Sequence, residues 1–207
     1  MQCLNEGKIA CSIFLDLAKA FDTVDHIILL SKLERYGVRG LPLQLIKSYL
    51  TNRYQGTVVD GLKSNEKLVT CGVPQGSTLG PFLFLVYSND LALASEFNVR
   101  MFADDTNLTM VSDNYLSLQI KVNCEIPKIG NWLKSNKLSL NYNKTEYIIV
   151  TRKKKCNVRI NIGGHEVSQK ECIRYLGVML DDSLTWKQYT AHVSQTLSNG
   201  CWALSHI

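Results

Sequence analysis

The sequence predicts an α+β fold in which an antiparallel sheet is backed by helices, and three observations carry this prediction. An apolar strand at 10–17 ends in an acid, Asp16. A hairpin pattern at 99–110 carries Asp104 and Asp105 at its tip, followed at once by two turn-prone residues. Several other stretches place apolar residues at helical spacing. If the first strand lies beside the hairpin, Asp16 and Asp104 meet at one edge of the sheet.

Size and charge limit the kind of protein this can be. With 207 residues, of which 45% are hydrophobic, the chain can form one large domain or two small ones. The net charge of +5 suits an acidic partner such as nucleic acid, although many basic proteins have no such partner. The N-terminal stretch lacks the apolar core of a signal peptide, and the longest apolar run, Leu79 to Tyr87, is too short to span a bilayer. We therefore expect no membrane association.

The cysteines indicate a redox environment. The chain has seven of them, with no Cys-x-x-Cys pair and no cluster with histidine. This pattern argues against a zinc site and against a disulfide framework. It favours a reducing intracellular compartment, and it does not distinguish the nucleus from the cytoplasm.

Two helices are predicted after the first strand. The first ends at Gly37, and the second begins at Pro42, because proline is favoured in the first turn of a helix. The side chains expected to face inward are Leu29, Leu30, Leu33 and Tyr36 in the first helix, and Leu45, Ile46, Tyr49 and Leu50 in the second.

The middle of the chain combines weak strands with a distinctive loop. Residues 54–59 and 67–72 alternate weakly and predict a strand pair joined by an exposed loop. The stretch 72–81 contains three glycines, two prolines and hydroxyls that can cap a helix. A glycine-rich approach to a helix N-terminus favours anions, but a capped loop before a core helix is the more common explanation. The inward residues expected in that helix are Leu79, Phe82, Leu83, Val86 and Leu91.

The last third of the chain is predicted to alternate between helices and strands. We expect a helix at 116–134, kinked or split by Pro127, and then a turn at 141–146 before a strand at 147–151. A solvated run at 152–155 follows, and then a hairpin (158–162 with 166–168) around Gly163 and Gly164. The last elements expected are a single strand at 173–180 and an amphipathic helix from Thr185. The inward candidates are Leu116, Ile120, Ile129, Trp132 and Leu133, then Trp186, Tyr189, Val193, Leu197 and Leu204.

The acids at the predicted sheet edge indicate a chemistry. An ionised carboxylate at the end of an apolar strand is costly unless it is paired or bound to metal. Oxygen ligands without histidine or thiolate favour Mg²⁺ or Mn²⁺ over zinc. Two such ions about 3.5–4 Å apart clamp the attacking and leaving oxygens of a phosphoryl transfer. An Asp-Asp pair in a turn is commonly just a solvated loop, but Asp16 makes a polymerase palm the working hypothesis.

Five motifs, in order, resemble those of the reverse transcriptases of non-LTR (LINE-like) retrotransposons. Residues 14–26 (FLDLAKAFDTVDH) resemble the first palm motif, and residues 72–81 (GVPQGSTLGP) resemble the second. Residues 102–105 (FADD) resemble the catalytic aspartate turn. Residues 138–145 (LSLNYNKT) resemble the fourth motif, and residues 175–178 (YLGV) resemble the primer grip.

The resemblance implies roles for the acids and for one lysine. Asp16 and Asp104 would ligate two Mg²⁺ or Mn²⁺ ions, together with the backbone carbonyl of Leu17. Asp105 matches a third carboxylate with a supporting role. Lys144 would donate a proton to pyrophosphate, although on sequence alone it is an ordinary exposed lysine.

The resemblance also implies which residues contact the nucleotide and the primer. Phe21 lies where the family places an aromatic steric gate that selects deoxynucleotides, although a phenylalanine here also suits a core. Gln75 and Gly76 would line the nucleotide and template pocket. Asp22 and Asp25 are interpreted as caps of the following helix rather than metal ligands. The residues expected to hold the primer end are Tyr175, Leu176 and Gly177.

The function implied is that of an RNA-directed DNA polymerase acting on an RNA template, a DNA primer and deoxynucleoside triphosphates. We expect residues 1–182 to form the palm with its primer grip and residues 183–207 to begin a thumb helix. The fingers and the remaining thumb are expected to belong to a longer polyprotein, so we expect weak or no activity from this chain alone. The alternatives are a maturase-type scaffold that binds RNA without synthesis and a remnant without a function of its own.

Overall fold

The computed structural model describes residues 5–153 and 156–205, and it confirms the α+β class. The strands are β1 (Ile9–Leu15), β2 (Arg53–Gln55), β3 (Val58–Val59), β4 (Leu62–Lys63), β5 (Lys67–Val69), β6 (Asn98–Phe102), β7 (Asp105–Ser112), β8 (Glu146–Val150), β9 (Asn161–Ile162), β10 (His165–Glu166), β11 (Ser168–Gln169), β12 (Cys172–Tyr175) and β13 (Val178–Asp181). The α-helices are α1 (His26–Arg35), α2 (Leu41–Leu50), α3 (Leu79–Ser88), α4 (Tyr115–Ser135) and α5 (Lys187–Leu204), with 3₁₀ turns at Ala20–Asp22 and Asn89–Leu93.

The main sheet has five strands in the order β11-β8-β1-β7-β6, with β1 at its centre. Strand β1 is antiparallel to both β7 and β8, and β7 is antiparallel to β6. Only the edge pair of this sheet, β11 with β8, is parallel. Alternate residues of β1 are buried, which is the pattern of a strand whose one face packs on a core. These buried side chains are Ile9, Cys11, Ile13 and Leu15.

Helices α1, α3 and α4 cover that face of the sheet and complete the core. Each contributes a buried apolar stripe, and full burial of one such side chain is worth about 1.5–3 kcal/mol. The buried side chains are Leu29 and Leu33 in α1, Leu83, Phe84 and Tyr87 in α3, and Leu118, Val122, Ile126, Ile129 and Leu133 in α4.

A buried lysine joins these helices. Lys32 of α1 donates from Nζ to the carbonyl of Tyr87 at 2.5 Å and to Oδ1 of Asp90 at 2.6 Å. Its ammonium lies 5.1 Å from the ring centroid of Tyr87 and 5.0 Å from that of Trp132, within cation–π range. Burial lowers the pKa of Lys32, although the contact with Asp90 opposes this shift. Lys32 of α1 therefore contacts both α3, through Tyr87, and α4, through Trp132.

The predicted helices are present, but several residues that were expected to face the core are exposed, most clearly in α4. Residues Leu116 and Ile120 are 73% and 55% exposed, whereas Leu118 and Val122 are buried. A shift of two residues rotates a helix by about 200°, and α4 has apolar residues on more than one side, so the sequence did not fix its orientation. Residue Pro127 does not split α4, which runs unbroken through it. The other expected inward residues that are exposed are Tyr36, Leu45, Leu79, Phe82, Trp186, Leu197 and Leu204.

Three turns differ from the prediction. The expected single strand at 173–180 is the hairpin β12–β13, which turns at Leu176 and Gly177 with φ of 48° and 81°. Positive φ at both central residues is typical of a type I′ turn, and Leu176 gives no sequence signal for it. Residues Thr106 and Asn107, expected in a turn, are buried in β7. The expected loop between β2 and β5 contains the extra hairpin β3–β4.

The other late elements agree with the prediction where the structure describes them. Strands β9 and β10 pair around Gly163 and Gly164, as expected. Arg152 and Lys153 are exposed, while the rest of that predicted run, 154–155, lies outside the described residues. Helix α5 is present, but none of its residues, all of them described, is buried. Within the described ranges, no helix combines the length and apolar character needed to cross a membrane.

The carboxylate of Asp181 fixes the joint between β13 and α5. It accepts hydrogen bonds from the backbone nitrogens of Ser183, Thr185 and Trp186 at 2.9–3.0 Å and from the Thr185 hydroxyl at 3.2 Å. Burial alone would raise the pKa of Asp181, but these hydrogen bonds outweigh it and hold the pKa below its usual value.

We expect Asp181→Ala to lower the free energy of unfolding by roughly 1–2 kcal/mol, as loss of a capping side chain does. Because the folded pKa is lowered, the stabilisation is present above the unfolded pKa of about 3.9 and is lost as pH falls through the folded value. Urea denaturation followed by circular dichroism at pH 7 and at acidic pH measures both effects. The exposed acid Glu171, changed to alanine, is the control, and equal effects of the two substitutions would contradict this role.

Candidate active site

The end of β1 and the β6–β7 hairpin meet at one edge of the sheet. The register places Leu15 opposite Thr106, so Asp16, the next residue, comes opposite Asp105, the first residue of β7. Asp104 lies in the two-residue turn before it. Asp16 is half-buried, whereas Asp104 and Asp105 are exposed. The structure therefore brings the expected acids to one place, with Asp105 at the start of the strand rather than in the turn.

The backbone of the hairpin turn is strained next to these acids. Ala103, its first residue, has a φ of 54°. The left-handed region costs a non-glycine residue roughly 1–2 kcal/mol and persists only where the surrounding structure enforces it. Here the enforcing structure is the antiparallel ladder that pairs Phe102 with Asp105.

The negative charges of the acids act on one another. The pKa of Asp105 is raised, first by burial and then by the charges of Asp104 and Asp16. All the donors are carboxylate oxygens, which fit Mg²⁺ or Mn²⁺ better than zinc. In the described part of the chain, no group of three or more His, Cys, Asp or Glu side chains stands close enough to hold a metal unaided.

Backbone hydrogen bonds fix the position of Asp16. The nitrogen of Asn141 donates to the carbonyl of Asp16, and the nitrogen of Ala18 donates to the carbonyl of Ser139, each at 2.8 Å. These two bonds flank Leu17 and do not use its carbonyl, which they leave available to a ligand. The fourth-motif segment thus holds the first-motif strand end in place.

Lys144 lies in the turn of that segment. The turn is closed by a bond from the Lys144 nitrogen to the Asn141 carbonyl at 3.1 Å, and the side chain is exposed. The adjacent Thr145 is buried, and its hydroxyl accepts from the nitrogen of Asp16 at 3.5 Å. Lys144 therefore precedes the residue that contacts Asp16. Its catalytic role stays a prediction.

The second-motif loop is bonded to the chain that follows Asp16. The nitrogen of Gly72 donates to the carbonyl of Val24, and the nitrogen of Val73 donates to the carbonyl of Phe21, both at 2.8 Å. Gly72 has a φ of 87°, and a Cβ added there would lie 2.8 Å from the carbonyl oxygen of Asp22. Only glycine permits this close approach. The two motifs therefore form one continuous surface.

The residues expected to contact the nucleotide lie on this surface. Phe21 is half-buried, and its ring centroid is 4.7 Å from that of Phe84. Gln75 is exposed, and its Nε2 donates to Oδ1 of Asp22 at 2.8 Å. Gly76 has a φ of 75°, and a Cβ added there would meet no described atom within 4 Å. Its backbone conformation therefore explains the glycine, and the space in front of it is open.

One of the two predicted helix caps is wrong. Oδ1 of Asp25 accepts from the nitrogens of Ile27 and Ile28 at 2.9 and 3.0 Å, so Asp25 caps α1 as expected. Its other oxygen pairs with Lys137 at 2.6 Å. Asp22 does not cap this helix, because the 3₁₀ turn that contains it ends before α1 begins and its carboxylate pairs with the Gln75 amide instead.

The β12–β13 hairpin stands over the sheet beside the acids. The ring centroid of Tyr175 lies 4.9 Å from that of Phe14 in β1. The pKa of Tyr175 is raised, first by burial and then by the charge of Asp105, while Arg100 opposes the shift. A cavity of about 470 Å³ lies between the hairpin and the sheet. Its walls include Ser12, Asn107, Thr109, Leu180 and Leu184. Leu176 and Gly177 are exposed at the tip.

Sequence reasoning missed several residues that position the site. Asn107, buried in β7, donates from Nδ2 to the carbonyl of Ile13 at 3.3 Å and accepts from the Thr109 hydroxyl at 2.8 Å. Tyr142 stacks on His165 with ring centroids 4.1 Å apart, which braces the Lys144 turn. A polar residue inside an apolar strand was the sequence signal for Asn107. No sequence pattern predicts the stacking of Tyr142 on His165.

The comparison with known families now decides the kind of protein. The sequence profile described as "Reverse transcriptase (RNA-dependent DNA polymerase)" matches residues 2–180. The chain belongs to the reverse transcriptase family. This confirms the family indicated by the five motifs, and it makes the sheet and its covering helices a reverse transcriptase palm.

Similar curated reverse transcriptases come from mobile elements of flies. The RNA-directed DNA polymerase from mobile element jockey of Drosophila melanogaster is 27% identical over 203 residues, covering 94% of this chain and 22% of the relative. The probable RNA-directed DNA polymerase from transposon X-element of the same species is 31% identical, covering 93% of this chain and 22% of the relative. The chain thus spans about a fifth of the length of these relatives.

Solved telomerase structures share the fold. Apo telomerase from Candida tropicalis, truncated from its C-terminal domain, aligns with a TM-score of 0.56 at 13% identity, covering 86% of this chain and 34% of that one. Telomerase from Candida albicans in complex with a TWJ fragment of telomeric RNA aligns with a TM-score of 0.57 at 14% identity, covering 85% of this chain and 30% of that one. At such low identity the likeness concerns the fold alone.

The mutual repulsion of the acids can be measured directly. Since the charges of Asp104 and Asp16 raise the pKa of Asp105, Asp104→Asn and Asp16→Asn should each lower it towards the usual value of about 3.9. Carboxyl ¹³C NMR titration reports this pKa. Asp60→Asn, an exposed turn residue between β3 and β4, is the matched control and should leave the pKa unchanged. No change in the Asp16 variant would show that its carboxylate is remote from Asp105.

The close approach of Gly72 to the backbone of Asp22 leads to a second prediction. Gly72→Ala places a Cβ against the Asp22 backbone at a positive φ, which should lower the unfolding free energy by about 2–4 kcal/mol. Gly76→Ala has a similar φ but open space, so it should cost only about 1 kcal/mol. Chemical denaturation of the two variants measures the difference, and equal costs would remove the contact with Asp22 from the argument.

Proposed function

We propose that this chain carries the nucleotidyl-transfer centre of an RNA-directed DNA polymerase, which adds deoxynucleotides to a DNA primer paired with an RNA template. The observation that carries the proposal is the convergence of Asp16, Asp104 and Asp105 where β1 meets the β6–β7 hairpin. The names of the relatives, which are RNA-directed DNA polymerases, support it.

Two divalent ions, Mg²⁺ or Mn²⁺, fit this edge. Asp16 and Asp104 would hold them together with the free carbonyl of Leu17, and Asp105 would add negative charge beside them. Held there, such ions would supply the positive charge that lowers the pKa of a primer 3′-hydroxyl and stabilises a leaving pyrophosphate. The protein contributes a strand end that is fixed by the backbone bonds at Asp16 and holds this residue beside the hairpin acids.

Around that centre, the remaining motif residues would bind and orient the nucleotide. Phe21, held by its contact with Phe84, would lie beneath the sugar and exclude a 2′-hydroxyl. Gln75 and the open backbone at Gly76 would line the nucleotide and template pocket. Lys144, exposed on the turn next to Thr145, would donate a proton to pyrophosphate.

The primer end would lie under the β12–β13 hairpin. Tyr175 stands beside Asp105, and the turn residues Leu176 and Gly177 are exposed where a strand end can reach them. We assign residues 1–182 to the palm with this primer grip and residues 183–207 to the start of a thumb helix. The remaining fingers and thumb would come from other segments of a longer polyprotein.

The proposal also includes a reducing intracellular compartment. The cysteines of the described residues are all free thiols, at positions 11, 71, 124, 156, 172 and 201. Free cysteines are typical of proteins kept under reducing conditions, where RNA templates and deoxynucleotides are also found.

Primer extension on an RNA template tests the proposed chemistry. With the fingers and the remaining thumb restored, we expect Mg²⁺- or Mn²⁺-dependent incorporation of deoxynucleotides that Asp104→Asn lowers on the order of 100-fold or more, because a charge placed for the transition state is lost. The chain alone should show weak or no activity. Asp113→Asn, an exposed acid after the opposite end of β7, makes the same charge change away from the site and should keep the wild-type rate.

Binding of Mn²⁺, followed by electron paramagnetic resonance, tests the acids without turnover. The wild type should bind Mn²⁺, and Asp16→Asn or Asp104→Asn should weaken binding, whereas Asp113→Asn should not. Equal activity and equal Mn²⁺ binding in wild type and Asp104→Asn would refute the proposal. Binding of the RNA–primer duplex with neither Mn²⁺ binding nor incorporation would instead identify a scaffold without synthesis.

A further inference from the structure

We propose that His26 is a positioning residue for the nucleotide pocket, because its imidazole fixes the carbonyl of Gly72 and with it the loop that leads to α3. The inference rests on the proposed function, which places this loop against the incoming nucleotide. Its starting observation is the distance of 2.7 Å between Nε2 of His26 and the carbonyl oxygen of Gly72, a contact that is buried. The contact joins the last residue of the first motif to the first residue of the second.

The chemistry of the contact decides which atom donates. A carbonyl oxygen only accepts hydrogen bonds, so Nε2 of His26 carries a proton and donates it. The neutral ring with its proton on Nε2 and the protonated ring can both make this bond. If the donor were removed, the buried carbonyl of Gly72 would be unpaired, and the loop would gain by moving that carbonyl towards water. The imidazole therefore holds the loop in its folded position.

The main chain supplies the neighbouring anchors of this loop. The nitrogen of Gly72 donates to the carbonyl of Val24, and the nitrogen of Val73 donates to the carbonyl of Phe21, both at 2.8 Å. Gly72 is thus held at its nitrogen by backbone and at its oxygen by a side chain. A substitution of His26 can therefore release one end of the loop while both backbone bonds keep their partners.

The position of Gly72 sets the path of the residues that follow it. At the other end of the loop, the Ser77 hydroxyl donates to the carbonyl of Pro74 at 2.6 Å, in the turn that opens α3. Residues 75–76, proposed to line the nucleotide pocket, lie between these two anchors and are exposed. Because both ends are held, the exposed stretch is ordered before a nucleotide arrives, which lowers the cost of binding. Release of the Gly72 end should weaken nucleotide binding without removing a group that contacts the nucleotide.

Steady-state primer extension, with the fingers and the remaining thumb restored, tests this inference. In His26→Leu the loop loses one buried hydrogen bond, which should shift it towards displaced states by about tenfold. The KM for dTTP should then rise about tenfold with kcat kept, because nucleotide binds only the ordered loop. A loss of folded enzyme would instead lower the apparent kcat and leave the KM unchanged. His26→Gln should restore the KM, because a glutamine amide can donate from Nε2 to the same carbonyl.

Hydrogen exchange of the chain alone gives a readout that needs no catalysis. The amide of Val73 should exchange about tenfold faster in His26→Leu and at the wild-type rate in His26→Gln. Val122→Ala is the matched control for lost stability, because it leaves a cavity at a fully buried position of α4. It should change neither the KM for dTTP nor the exchange of Val73.

The outcomes separate this inference from the proposed function. Unchanged exchange of Val73 in His26→Leu, or faster exchange with an unchanged KM, would overturn the inference and leave the proposed polymerase centre intact. Equal effects of His26→Leu and Val122→Ala would also overturn it, because lost stability would then explain both. If the wild type incorporated no dTTP while Val73 still exchanged faster in His26→Leu, the proposed function would fail, and the nucleotide role of His26 with it.

Discussion

The antiparallel ladder between β1 and β7 is the constraint on which the rest of the structure depends. Side chains alternate across a strand, so a slip of one residue in this pairing would exchange the buried and the exposed faces of β1. Ile9, Cys11 and Ile13 would then lose their places in the core, and Asp16 would no longer come opposite Asp105. Core packing and the alignment of the acids are therefore set by the same register.

A second layer of order comes from main-chain bonds between segments far apart in sequence. The nitrogen of Asn141 donates to the carbonyl of Asp16, and that of Val73 donates to the carbonyl of Phe21, so two loops are fixed to the segment that follows β1. Because these bonds use the backbone, they leave the side chains of Gln75 and Lys144 free to face solvent. Preorganisation of this kind lowers the cost of assembling a site around a ligand.

The sequence predicted the parts of the fold that have a strong periodic signal. The first strand, the hairpin at 99–110 and the end of the first helix near Gly37 were predicted correctly, because apolar runs and turn residues mark them in the sequence. The orientation of α4 was missed because apolar residues lie on more than one of its sides. The turn at Leu176 and the partner of Asp22 were missed because tertiary contacts impose them, and no local pattern records such contacts.

The space between the sheet and the β12–β13 hairpin has a mechanical consequence. Packed interiors resist deformation, but an open cavity of about 470 Å³ lies between the hairpin and the sheet beside the contact of Tyr175 with Phe14, so packing resists bending less there. The acids lie on the β1–β7 ladder, whereas the β12–β13 hairpin lies beside it and is not part of it. Bending of this hairpin would therefore leave the carboxylates in place.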